Sequence, residues 1–126
     1  VNTHQLPQDF IKYLGTQTLA GIKGGKDRDT FLDIWMVEVA GRVFARSWGK
    51  SNRSWFTAFL EQGVGELKYD DNVIAVTGKP LKDSQMNLLI DKAYQEKYTQ
   101  EHNLIYVKGI TQPEYHEYTM EFFLRD

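Results

Sequence analysis

The chain has 126 residues, with 15 Lys and Arg against 17 Asp and Glu and a formal net charge of -2. That length suits a single domain over residues 1–126, and the near balance of charge gives no net pull towards nucleic acid or an acidic membrane. An apolar share of 41% with 3 Trp, 7 Tyr and 7 Phe argues against disorder, and the lack of cysteine excludes a disulfide framework, a thiolate nucleophile and a cysteine-held metal centre.

In chain order, the polar start Val1-Asn2-Thr3-His4-Gln5 carries no apolar signal core. No apolar run reaches the about 18 residues of a membrane span, so no transmembrane helix is expected, and the lack of cysteine fits a cytoplasmic protein. Pro7 then opens a short helix over about 7–14, with Phe10, Ile11 and Leu14 at helical spacing and Gly15 as a stop. Residues 18–23 form a strand candidate, and the turn Gly24-Gly25-Lys26-Asp27-Arg28-Asp29 follows.

Thr30 to Val39 is the most strand-like segment. Phe31, Trp35, Val37 and Val39 fall on one face and Leu32, Ile34 and Met36 on the other, as in a central strand covered on both sides. Ala40-Gly41 is a tight turn, and residues 42–47 return as the partner strand of a hairpin. Ser51, Asn52 or Ser54 can cap the next helix, whose apolar face is Trp55, Phe56, Phe59 and Leu60 and whose stop is Gly63.

A second hairpin joins 64–69 to 73–79 through Asp70-Asp71-Asn72, with Pro80 at its close. Asp83 caps the longest helix, about 84–99, in which Met86, Leu89, Ile90, Ala93, Tyr94 and Tyr98 recur at helical spacing. Residues 100–113 read as a linker. Residues 115–125 alternate as a half-buried strand, with His116, Tyr118, Met120, Phe122 and Leu124 on one face. The sum is a mainly β, α+β domain: six short strands with few helices, which suggests a small closed or split antiparallel barrel.

The segment with most chemistry runs from Arg46 to Trp55. Free N–H groups at a helix start attract anions, commonly phosphate. Here Arg46, Lys50 and Arg53 and the hydroxyls of Ser47, Ser51 and Ser54 surround such a start. Gly49 lets backbone approach a ligand, and Trp48 and Trp55 can wall a planar ring. These features describe a pocket for a phosphate-bearing aromatic ligand; the same residues would also make a solvated strand–helix turn with two core tryptophans. Gly49-Lys50-Ser51 imitates the end of a P-loop, but Phe44 stands where that motif requires glycine.

Near the end of the longest helix, Tyr98 and Lys97 are open to a site role, whereas Tyr94 reads as core. His4, His102 and His116 have no metal-ligand spacing, so no metal is expected. Asp27, Asp29, Asp70 and Asp71 read as turn formers.

The run Gly41-Arg42-Val43-Phe44-Ala45-Arg46-Ser47-Trp48-Gly49, then Ser54-Trp55-Phe56, resembles the small bacterial proteins grouped as domain of unknown function 2255. Ala93-Tyr94, Lys97-Tyr98 and the terminal Phe123-Leu124-Arg125 extend the resemblance over about residues 7–126. That family is similar to the flavin-binding split barrels, near the deazaflavin-dependent nitroreductases. The resemblance implies a six-stranded split barrel, often a homodimer, that binds FMN or F420, with its phosphate held by a strand-to-helix loop. That loop matches Ser47 through Trp55 here. A flavin- or F420-dependent oxidoreductase is one expectation; a non-enzymatic module binding a small ligand on the same fold is the other.

Overall fold

The computed structural model describes residues 5–26, 28–47 and 54–125. Pro7, with its fixed φ, stands at the entry of α1 (Gln8–Thr16), which buries Phe10 and Leu14. The strands are β1 (Ala20–Gly24), β2 (Leu32–Ile34), β3 (Val37–Val39), β4 (Arg42–Arg46), β5 (Val64–Tyr69), β6 (Asn72–Pro80) and β7 (Thr119–Leu124). The further helices are α2 (Trp55–Gln62), α3 (Ser84–Lys97) and α4 (Leu104–Ile110). No helix among the described residues is long and apolar enough to cross a membrane.

All strand pairs are antiparallel, in the order β2-β1-β5-β6-β7-β4-β3. Among the described residues the sheet therefore has seven strands, not six, because the segment 30–39 breaks at Trp35-Met36. Its halves β2 and β3 pair with β1 and β4, at opposite edges of the sheet. Seven flat strands would hold those edges roughly 29 Å apart. The chain from Ile34 to Val37 can span at most roughly 11 Å. The connection thus forces the sheet to curl into a half-barrel, with a split beside β2.

The curl makes two cores. Inside, Ile22, Leu67, Val76, Ala45, Met120 and Phe122 pack with Phe10, Leu14 and the aromatic face of α2. Outside, α3 and α4 cover β3 and β4, burying Val37, Phe44, Ile90, Tyr94 and Tyr98. The breaking corner feeds both cores: Met36 enters the inner one, while Trp35 packs against the outer one.

Local chemistry explains the junctions. Ala40 and Gly41, with φ of 53° and 82°, form a hairpin turn with both central residues left-handed, as a tight β-hairpin requires. Ser54 caps α2 by accepting from Thr57 N at 3.2 Å, and Gly63 ends it in the left-handed conformation at φ 74°. Asp83 caps α3 through Gln85 N and Met86 N.

Four further expectations are corrected. β2 is not covered on both sides, since Leu32 is 58% exposed. The linker contains α4, in which Val107 and Ile110 are buried. Residues 113–118 form a tight helical turn, so only 119–124 of the last segment is strand. The face of α3 also shifts: Asn87, Ile90 and Tyr94 are buried, while Leu89 is exposed.

Candidate functional site

A cleft of about 990 Å³ opens at the split. β2 supplies one wall through Leu32, Asp33 and Ile34, and Trp35 continues that wall around the corner. Across it lie the end of β4 (Arg46, Ser47) and one side of α4 (Tyr106, Ile110). Ser54 and Trp55, at the start of α2, close one end, and Ile22 and Gly24 line the cleft from β1. The cleft is mainly apolar, with charge from Arg28, Asp29 and Asp33 in and beside the β1–β2 connection.

The packing of α2 sets the floor. Gly24, Gly65 and Gly78 sit on β1, β5 and β6 and together make a trough for Phe59. A Cβ on Gly78 would come within 2.4 Å of the Phe59 ring, and one on Gly24 within 2.7 Å of Trp55 O. Arg28 Nη2 donates to Ser54 O at 3.3 Å, tying the β1–β2 connection to the entrance of α2.

The residues singled out from the sequence divide into three groups. Trp48, Gly49, Lys50, Ser51 and Arg53 lie outside the described residues. Arg46, Ser47, Ser54 and Trp55 all line the cleft. Lys97 and Tyr98 do not line it; they stand behind Trp35.

Arg46 is buried, and each of its five guanidinium N–H donors has an acceptor within the protein. Nε donates to Thr119 Oγ1 at 2.9 Å, Nη1 to Asp91 and to Ile110 O, and Nη2 to Asn87 O and Oδ1. This leaves the guanidinium no donor for a ligand. Asp91 also bonds His116 Nε2 at 3.1 Å, so one carboxylate joins β4, α3 and the turn before β7. Tyr94 Oη accepts from Arg46 N at 3.0 Å, and burial pushes the Tyr94 hydroxyl up to about 12.

Ser54 spends its hydroxyl on the helix cap. Trp55 is 5% exposed and packs edge-on against Phe56 and Phe59, so little of it reaches the cleft. Trp35 is the half-buried tryptophan of the wall, and Tyr98 stacks on it at 4.0 Å between centroids with 9° between planes. The strand periodicity of 30–39 gave no sign of this, because it placed Trp35 in the middle of a covered strand.

Two bonds hold the corner that carries Trp35. Lys97 Nζ donates to Met36 O at 2.6 Å, and Met36 N donates to Tyr98 Oη at 3.2 Å. Tyr98 in turn donates to Thr18 O at 2.6 Å. Burial lowers the Lys97 ammonium to about 8, and burial raises the Tyr98 hydroxyl, with nearby Tyr94 adding to the rise.

An antiparallel sheet curled into a half-barrel, with helices on both faces and an open cleft at its split, defines the class: a small β half-barrel domain. The chain belongs to the family described as "Uncharacterized protein conserved in bacteria (DUF2255)", whose model matches residues 18–122. Among solved structures it is similar to the conserved hypothetical protein Rv2991 from Mycobacterium tuberculosis. The identity is 9% over 95% of this chain and 79% of that chain, with a TM-score of 0.59. At that identity the likeness concerns the fold alone. No curated protein matches the chain.

Proposed function

We propose that the cleft takes a phosphate-bearing planar heterocycle, FMN or the deazaflavin F420, on a split barrel of the flavin-binding type, and that the protein is an oxidoreductase. One observation carries this reading: the 990 Å³ cleft combines aromatic walls with an end formed by Ser47, Ser54 and the start of α2. Its size lies at the top of the roughly 300–1,000 Å³ range of small-molecule pockets. The residues fit such a group in two respects. Trp35 offers planar surface, and the chain between Ser47 and Ser54 carries Lys50 and Arg53 as cations for a phosphate.

When bound, such a cofactor supplies hydride transfer itself, so the protein's part is binding and orientation. Trp35 would orient the ring plane. Lys50, Ser51 and Arg53 would hold the phosphate, and the apolar wall from β2 would exclude water from the ring. Exposed apolar side chains at Leu32, Ile105 and Tyr106 are consistent with a homodimer that covers this side.

A second reading, a non-enzymatic module for another small ligand, is favoured by a specific fact. Arg46 and Ser54, both read as phosphate ligands from sequence, are engaged inside the protein.

Titration with FMN and with F420, followed by tryptophan fluorescence and calorimetry, separates the two. The cofactor reading expects saturable binding that the double variant Lys50→Ala, Arg53→Ala weakens by at least about tenfold, as loss of two charge-assisted phosphate contacts implies. Absence of binding by either cofactor favours the second reading. Light scattering across a concentration series tests the dimer.

A further inference from the structure

The tryptophan that offers the ring its planar surface has a further feature: it is fixed in place from behind. One face of the Trp35 indole is covered by Tyr98, and Trp35 also lines the cleft, so a ligand meets its opposite face or its edge. The Tyr98 ring is fully buried and its hydroxyl is tied to the backbone of Thr18 and Met36. The Met36 side chain is anchored in the inner core, and Lys97 holds its carbonyl. The corner is thus restrained on the two sides of Trp35 that a loop would leave loose.

We infer that Trp35 is the stacking surface for the planar ring of the ligand, and that Tyr98 and Lys97 are positioning residues that set its plane. This rests on the cleft being the ligand site. It reassigns Lys97 and Tyr98, which act on the ligand through Trp35 and the Met36 backbone rather than by touching it. It also selects the ligand class. A flat aromatic heterocycle gains most from a rigid, pre-set stacking partner, whereas a flexible aliphatic ligand gains little.

Pre-organisation predicts non-additivity. Residues that act only through Trp35 lose their effect when Trp35 is gone, whereas residues that merely stabilise the fold do not.

The probes are FMN, riboflavin, which lacks only the phosphate, and lumiflavin, the same ring without the ribityl phosphate chain, titrated by calorimetry. Trp35→Leu is expected to weaken lumiflavin and FMN alike by about tenfold or more, within the range measured for aromatic stacking. Tyr98→Phe keeps the ring stack and loses the hydroxyl bonds; Lys97→Met loses the bond to Met36. Each is expected to weaken lumiflavin several-fold in the parent protein and to have no further effect in the Trp35→Leu background. Lys97→Arg, which restores a donor, should recover affinity.

With 5-fluorotryptophan incorporated, the Trp35 fluorine signal should move in Tyr98→Phe and Lys97→Met while the Trp55 signal stays. Trp35→Phe, which keeps an aromatic face, guards against a Leu variant that fails to fold and should retain most of the affinity. Lumiflavin binding that depends on Trp35, with FMN bound no more tightly than riboflavin, would uphold the stacking surface while overturning the phosphate reading. Equal lumiflavin affinity in Trp35→Leu and the parent, full additivity of Tyr98→Phe with Trp35→Leu, or no binding of any probe would overturn the inference.

Discussion

Lys97 shows how one buried amine leaves a mark on stability. Its folded pKa of about 8 lies below the ordinary 10.5 because burial penalises the charged form. Below about pH 8 both folded and unfolded chains carry the proton, and the penalty is fully present. Between about 8 and 10.5 the unfolded chain binds more protons than the folded one, so this group makes stability rise with pH. Partial exposure and solvent screening hold the effect to about 1–2 kcal/mol.

Tyr94 and Tyr98 act in the opposite sense above their ordinary 10.0, because the folded chain keeps both protons that the unfolded chain gives up. The clean window is therefore between about pH 8 and 9.5. Urea unfolding across it should show the parent protein gaining stability relative to Lys97→Met. A flat difference would mean that the amine titrates normally. Arg46 belongs to the same scale. Arg46→Met leaves Asp91 with His116 as its remaining partner and should cost up to about 3–5 kcal/mol, as for other broken buried ion pairs. A variant as stable as the parent but unable to bind ligand would restore Arg46 to the phosphate site.

α2 was legible as an element because its signals are local: Ser54 as cap, Trp55, Phe56 and Phe59 on one face, and Gly63 as left-handed stop, whereas Leu60 of the expected face is exposed and Ala58 is buried in its place. Its seat was not legible, because Gly24, Gly65 and Gly78 meet only through strand pairing across β1, β5 and β6. That seat is testable. Gly78→Ala forces Phe59 to move and should destabilise by about 1–3 kcal/mol through overpacking, read as a lower urea midpoint. Pairing it with Phe59→Leu, which makes room, should recover part of the loss; no recovery would mean that the cost lies in the strand backbone. The break at Trp35-Met36 was hidden for a related reason. Alternation and β propensity continue through 30–39, and only the two cores on opposite faces of the sheet separate Met36 from Trp35. α4 was missed because its apolar run is short, with Leu104, Ile105 and Tyr106 exposed. Of the site, the strand-to-helix junction was visible as charge and hydroxyls, whereas the wall at Trp35 exists only once the sheet has curled.

The curl that makes the cleft also grades stability across the molecule. β5 pairs with neighbours on both sides, β7 lies between β6 and β4, and Leu67, Val76 and Met120 are fully buried. β2 has only three residues, one paired neighbour and an exposed Leu32. Local opening in proteins ranges from nearly no cost at such edges up to the global unfolding free energy in the core. Hydrogen exchange in low urea should therefore divide the sheet. Amides of β5, β6 and β7 should exchange only by global unfolding, with a steep urea dependence. Those of Leu32–Ile34 that pair with β1 should exchange by local opening, with almost none. A wall drawn from the weak end of the sheet is also one that a ligand can tighten, so FMN or lumiflavin should slow exchange at β2 while leaving β5 unchanged. If β2 instead exchanged with the core in the free protein, its outer edge would be held closed, and the split would not be the opening through which a ring enters.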